Sequence, residues 1–308
     1  MYGGGGSSDV ALPIFNLERL DLSNNSFTGG IPLLDNFTLL RSLDLNSNAL
    51  TGSIPSLDSL IKLRTLALYN NSLIGNIPSL HSLGSLEYLE LYINKLQGSI
   101  PSLDGLNNLL YLSVSNNVLT GPIPSLAGLR RLQGVWLENN TLTGPLPPLD
   151  GPTELRILMA NSNKLNGSIS SSLSRLSQLE YVCLSNNGFT GRLPSLVNAS
   201  GLQSLQLDDN RLSGTLDGVF DQTRQVNLSI IQLSSNQLVG TIPEEIFQLP
   251  SLQTFAMASN CVRGPLPFES MCNSSSLQSL LLDGLHTAST CRNLLFGEQA
   301  PQLYSLPR

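Results

Sequence analysis

One asparagine returns along this chain with a regularity that leaves little choice of fold. It stands at Asn25, Asn48, Asn71, Asn94, Asn117, Asn140, Asn163, Asn187, Asn210, Asn236 and Asn260. The intervals are 23 residues six times, then 24, 23, 26 and 24. Self-similarity of this period marks a solenoid, in which each unit packs only on its neighbours. A last unit, with Leu277, Leu280 and Leu282, lacks the asparagine and is expected to end the stack. The expected division is an N-terminal segment 1–16, eleven repeats over 17–276, and a degenerate repeat, cap and tail over 277–308.

Each position of the unit has a physical reason. Leu66 and Leu68 alternate with Thr65, Ala67 and Tyr69 as a short strand requires, so the leucines point inward and the others outward. Asn71 follows where the chain turns inward, and its amide can serve backbone groups that the turn leaves unpaired. Gly75 relaxes the backbone, and Ile77-Pro78 holds an extended return. Leu80 and Leu83, three apart, suit a 3-10 turn on the convex side. The fold class is therefore an α/β solenoid: a right-handed superhelix with a concave parallel β-sheet and short 3-10 or irregular convex segments.

The consensus LxxLxLxxNxLxGxIP, carried with small changes from Leu17 to Pro267, resembles the plant-type leucine-rich repeat. It is similar to the ectodomains of leucine-rich-repeat receptor-like kinases and receptor-like proteins, and to polygalacturonase-inhibiting proteins. Most units here are one residue short of that family's usual length. The cysteine pair that opens the N-terminal cap in such ectodomains is absent, and so is the His-Arg-Asp signature of a kinase. The resemblance implies ligand recognition.

Composition narrows the setting. The formal charge is -6 and no basic stripe exists, which argues against nucleic acid as a partner. No apolar run reaches the ~18 residues of a membrane span, although a segment outside this sequence could anchor it. The first residues, Met1 to Asp9, lack the regions of a secretory signal, so either the true N-terminus lies upstream or the chain is cytosolic. Three of the four cysteines, Cys261, Cys272 and Cys291, cluster near the end of the chain. That clustering suggests a disulfide-stapled cap in an oxidising compartment, with reduced thiols as the alternative. Cys272–Cys291 is the expected bridge, and Cys261–Cys291 the other pairing. Cys183, on an outward strand position, is expected to be a free, unreactive thiol. Of eight Asn-x-Ser/Thr sequons, Asn36, Asn166 and Asn198 are the better glycan candidates, because Asn24, Asn70 and Asn139 arise from the repeat itself. The expected location is extracellular or the cell surface.

With the scaffold positions committed to packing, function is sought at outward strand positions. Tyr69, Tyr88, Tyr92, Tyr111, Trp136 and Tyr181 lie there: five of the seven tyrosines and the only tryptophan. Ile93, Ile157 and Met159 accompany them, with Glu90 and Glu138 between. Aromatics favour strands in any case. Repeats nine to eleven nevertheless carry Gln206, Asp208, Gln232, Ser234, Ala256 and Ala258 at equivalent places. Strands stack ~4.8 Å apart, so Tyr88, Tyr92, Tyr111 and Trp136 should share a patch of ~15 Å. Exposed aromatics of this kind make binding hot spots.

Catalysis finds little support. His81 occupies a convex position used by Asp58 and Asp104 in neighbouring repeats, and His286 belongs to the cap region. No nucleophile–base spacing, metal-ligand cluster or phosphate loop accompanies them, so no catalytic residue, metal or cofactor is expected. The expected function is non-catalytic recognition of a peptide, protein or glycan on the concave face. A structural wall glycoprotein and an inhibitor of a secreted hydrolase are the alternatives.

Overall fold

The computed structural model describes residues 16–285. Alternation of leucine with an outward residue yields twelve short strands, from Arg19–Asp21 to Ser279–Leu281, which form one parallel sheet in strict chain order. The register is set by the repeat: Leu43 pairs with Leu66, Leu66 with Leu89, and Leu89 with Leu112. The inward leucines are buried; Leu66, Leu68, Leu91 and Leu112 have no exposed surface. At the two ends this fails, because a terminal unit has a neighbour on one side only. Leu22 in the first unit and Leu280 in the last are each 38% exposed, so inward leucines such as Leu20 and Leu22 are not buried like the rest. Leu20 is half-buried.

Behind each strand the chain turns through one residue in the left-handed region. Eleven non-glycine residues do this, each directly before a repeat asparagine, with φ between 53° and 56°. Ten of the eleven are Asn, Ser or Asp, of which Asn and Asp reach this region most readily. The asparagine that follows then bonds to the backbone. Asn117 Nδ2 donates to the carbonyls of Leu91, Val114 and Ser115, each at 3.1 Å, and its Oδ1 accepts from the Leu96 N–H at 2.9 Å. The same arrangement recurs from Asn48 to Asn260. Asn117 and Asn140 are buried, whereas Asn71 and Asn94 are half-buried.

Gly75 adopts φ 80°, which only glycine takes without strain, and lies in a short strand Ile74–Asn76 on the return side. Such return strands form smaller parallel sheets, the largest of five strands. The convex side has the short 3-10 or irregular segments expected, with the Leu83 N–H donating to the Leu80 carbonyl at 3.0 Å. In the 23-residue units it is turns and extended chain, and the two 3-10 helices, Ser171–Arg175 and Glu244–Ile246, fall in the two units of 24. Their extra residue separates Ile169 from Leu173 by four places, where Ile54 and Leu57 are three apart. That spare residue completes the helical turn.

Candidate ligand-binding face

Three outward rows run across the concave sheet. The first contains Tyr88, Tyr111 and Gly134 in register, and the second Glu90, Ser113, Trp136 and Met159. The third, just past the inward leucines, holds Tyr69, Tyr92, Ser115 and Glu138. Tyr69 and Tyr92 stack at 4.4 Å between ring centres, only 7° from parallel. Tyr88 and Tyr111 lie 5.6 Å apart, and Tyr111 and Trp136 5.8 Å apart, both tilted. The Tyr111 hydroxyl donates to Gln133 Oε1 at 3.1 Å, which fixes the middle ring.

Between these rings opens a concavity of about 570 Å³ lined by Tyr88, Glu90, Tyr92, Ile93, Tyr111, Ser113, Ser115, Asn116, Trp136 and Glu138. Seven of the eleven outward side chains singled out from the sequence, Ile93 among them, thus line one hollow. Tyr69 backs onto Tyr92, and Met159 pairs with Trp136 in the next strand. Tyr181 stands apart, two strands beyond Gly134 and 40% exposed, with its hydroxyl donating to Gln203 Oε1 at 2.7 Å.

Sequence reasoning overlooked three features. Ser113, Ser115 and Asn116 line the hollow from positions that the repeat register would have located. Gly134 is the only glycine at an outward strand position of the first row. A Cβ there would collide with Cη2 and Cζ3 of Trp136 and sit 3.0 Å from Cδ1 of Tyr111, so the missing side chain is what lets the indole fold across the sheet. Ile93 is the one β-branched residue among the eleven left-handed positions, at φ 53°, and it is 46% exposed at the rim. Such a residue is strained in this conformation, and strain of that kind gathers at functional sites.

The acidic groups of the hollow are partly desolvated. Burial raises the carboxyls of Glu90 and Glu138 above their ordinary range; Asp44, two strands away, adds to the effect on Glu90. Ser115 and backbone hydrogen bonding counter part of it at Glu138. Glu138 Oε2 is nevertheless shielded from solvent with no hydrogen-bond partner. Tyr92 is pushed up to about 12 by burial, the neighbouring Tyr69 and Glu90.

Elsewhere the candidates resolve as follows. Cys183 is buried against Ser185 and Gln206, and burial raises its thiol, in line with an unreactive cysteine. Cys272 is exposed and free, while Cys261 is disulfide-bonded, which overturns the expected Cys272–Cys291 bridge. Cys261 is buried at the end of the core whereas Cys272 sits on the exposed helix Phe268–Asn273, a placement that spacing along the chain could not reveal. Cys291 and His286 lie outside the described residues. His81 is exposed between Ser79 and Ser82, 3.8 Å from Asp58. Asn36, Asn166 and Asn198 are exposed, and Asn198 Oδ1 accepts from Arg224 at 2.7 Å. Among the described residues no cluster of three His, Cys, Asp or Glu could hold a metal ion, and no helix is long and apolar enough to cross a membrane.

Comparison with known proteins places this architecture. A family model described as a leucine-rich repeat region matches residues 22–239. The chain belongs to the leucine-rich-repeat family. Among solved structures, this leucine-rich-repeat chain is similar to the ectodomain of the plant membrane receptor kinase GASSHO1/SCHENGEN3 from Arabidopsis thaliana, solved in complex with CASPARIAN STRIP INTEGRITY FACTOR 2. The identity is 30% and the TM-score 0.77, over 88% of this chain and 36% of that one. It is similar also to the plant peptide hormone receptor RGFR1 in complex with RGF2, at 36% identity and TM-score 0.77, over 86% of this chain and 43% of that one. A third is the Arabidopsis receptor kinase HAESA in complex with the peptide hormone IDA and the co-receptor SERK1. There the identity is 32% and the TM-score 0.75, over 87% of this chain and 50% of that one. The chain thus spans half or less of the length of these receptor chains. No curated protein matches it in sequence comparison.

Proposed function

We propose that this chain is a non-catalytic recognition module that binds a peptide, protein or glycan on its concave face. The observation that carries the reading is the hollow between Tyr88, Tyr92, Tyr111 and Trp136, with half-buried carboxylates at Glu90 and Glu138. The packing of the solenoid needs no aromatic at any of these places. Rings left against water forgo ~25 cal/mol per Å² of hydrophobic free energy, which a partner covering them would recover. That RGFR1 is a plant peptide hormone receptor and that HAESA was solved with the peptide hormone IDA supports a peptide among the three ligand classes. In this reading residues 17–276 form the recognition array and 277–308 its terminal cap. The module works outside the cell or at its surface, with Asn36, Asn166 and Asn198 as exposed glycan acceptors.

The test is a binding screen against secreted peptides, glycans and cell-wall extracts, run with the wild type and a Tyr92→Ala/Trp136→Ala double variant. Ligands that bind the wild type should lose at least tenfold in affinity for the double variant. Equal binding by two equally stable proteins would place the site on the convex loops or the lateral edge.

A further inference from the structure

The concave face has an uneven chemistry that narrows the ligand. After Arg19 in the first strand, none of the three outward rows carries a lysine or arginine through to the last described unit. The same rows carry Asp44, Glu90, Glu138 and Asp208. The hollow is therefore rich in acceptors and poor in cations.

Three side-chain oxygens of the third row, on Asn46, Glu138 and Asn161, are shielded without a partner, and the last two neighbour one another at and just beyond the edge of the hollow. Glu138 Oε2 is shielded and has no partner, and Asn161 Oδ1 is in the same condition. They belong to adjacent turns, joined where the Asn139 N–H donates to the Asn161 carbonyl at 3.1 Å. Both atoms are closed to solvent as they stand, so a donor meets them only when these half-buried side chains turn toward the hollow that Glu138 lines. A buried acceptor without a donor is costly, more so when charged, and two in adjacent turns are rarely left so unless something else supplies the hydrogens. Four aromatic rings surround the opening, and their negative faces attract a cation within ~6 Å of a ring centre. Uncharged donors could satisfy the acceptors, but they would leave the burial cost of the Glu138 and Glu90 carboxylates in place. A cation offsets it.

We propose that the hollow selects a positively charged nitrogen, the guanidinium or ammonium of an arginine or lysine side chain in a peptide, held over the Tyr111 and Trp136 rings and paired with Glu138. The proposal rests on the concave-face reading above and adds the charge of the ligand to it. Glu90 contributes attraction from the strand Tyr88–Glu90, and Ile93 walls the rim.

The chain's single tryptophan, Trp136, is a built-in reporter. The probes are a blocked heptapeptide of glycine and proline with one central arginine, the same peptide with lysine, and the same with citrulline, which keeps the shape and removes the charge. Spermidine serves as a free cation. Each is titrated at ~0.15 M salt, where long-range attraction is screened beyond ~8 Å. The expected result is a saturable change in Trp136 emission with arginine or lysine, and at least tenfold weaker binding with citrulline. Glu138→Gln should weaken the arginine peptide at least fivefold and leave the citrulline peptide unchanged. Tighter binding of spermidine than of either peptide keeps the cation and overturns the peptide as its source. Equal affinity for arginine and citrulline, no effect of Glu138→Gln in a folded variant, or no saturable change up to ~10 mM overturns the proposal. Should the screened ligands bind the wild type and fail on the Tyr92→Ala/Trp136→Ala variant while charge makes no difference, the concave-face reading survives without its cation.

Discussion

Asn117→Ala removes one rung of the asparagine ladder at its buried centre, and the hydrogen-bond pattern says what is lost. Four bonds disappear, but not all of their partners are stranded. The Leu91 carbonyl still accepts from Asn94 Nδ2 at 3.1 Å, the Val114 carbonyl from Asn140 Nδ2 at 3.0 Å, and the Ser115 carbonyl from the Ile93 N–H at 3.0 Å. The Leu96 N–H has given its hydrogen to Asn117 Oδ1 and lies in a residue with no exposed surface. The cost is thus set mainly by one buried donor, ~1–3 kcal/mol, rather than by four bonds counted separately. An unfolding entropy of ~2.1 cal/mol/K per residue over the roughly 270 described residues converts ~2 kcal/mol into a fall of ~3–4 °C in the melting midpoint. Calorimetry checks that figure, and hydrogen exchange checks its cause, since the Leu96 amide should lose protection before its neighbours. Asn25→Ala, at an exposed position in the first unit, is the control and should cost much less. A midpoint unchanged by Asn117→Ala, with the Leu96 amide still protected, would refute the ladder as a source of stability.

Three further outcomes follow from the pocket. Ile93→Asn should raise the melting midpoint by ~2–4 °C, through relief of ~1–2 kcal/mol of left-handed strain, while weakening ligand binding; a less stable variant would show that Ile93 is not strained. Gly134→Ala should drive the indole off the sheet, seen as a red shift of Trp136 emission and at least tenfold weaker binding, and unchanged emission would contradict the role given to the missing side chain. Burial raises the folded pKa of Glu138 above the ordinary carboxylate range, so its stabilising contribution is fully present below that range and is lost as pH rises through the folded value. Glu138→Gln should accordingly melt higher than the wild type at about pH 7 and converge with it near pH 4; a gap that does not change with pH would exclude this cause.

The repeat was legible because each unit solves the same packing problem in the same way. Leu66 and Leu68 could be assigned inward and Tyr69 outward from alternation alone, and the ladder from the recurrence of Asn71 and its equivalents. The convex turn at Leu80 and Leu83 was legible from their spacing, but the longer 3-10 helices Ser171–Arg175 and Glu244–Ile246 were not, because they depend on the extra residue that only the 24-residue units supply. The cysteine pairing was misjudged for a related reason. Cys261, Cys272 and Cys291 are close in sequence, yet burial of Cys261 and exposure of Cys272 depend on how the last turn closes the core.

The candidate site divides along the same line. Outward placement of Tyr88, Tyr92, Tyr111, Trp136, Glu90 and Glu138 follows from a two-residue period, which the sequence alone determines. Whether those side chains form a hollow or lie as separate rings depends on contacts between repeats some 23 residues apart. Only the tertiary structure shows Trp136 folded over Gly134, Tyr69 stacked on Tyr92, and Glu138 Oε2 shielded without a partner. The physical reason is that inward positions obey one packing rule in every unit, so a single unit reveals them all. Outward positions obey none, and their arrangement exists only once neighbouring turns have been stacked.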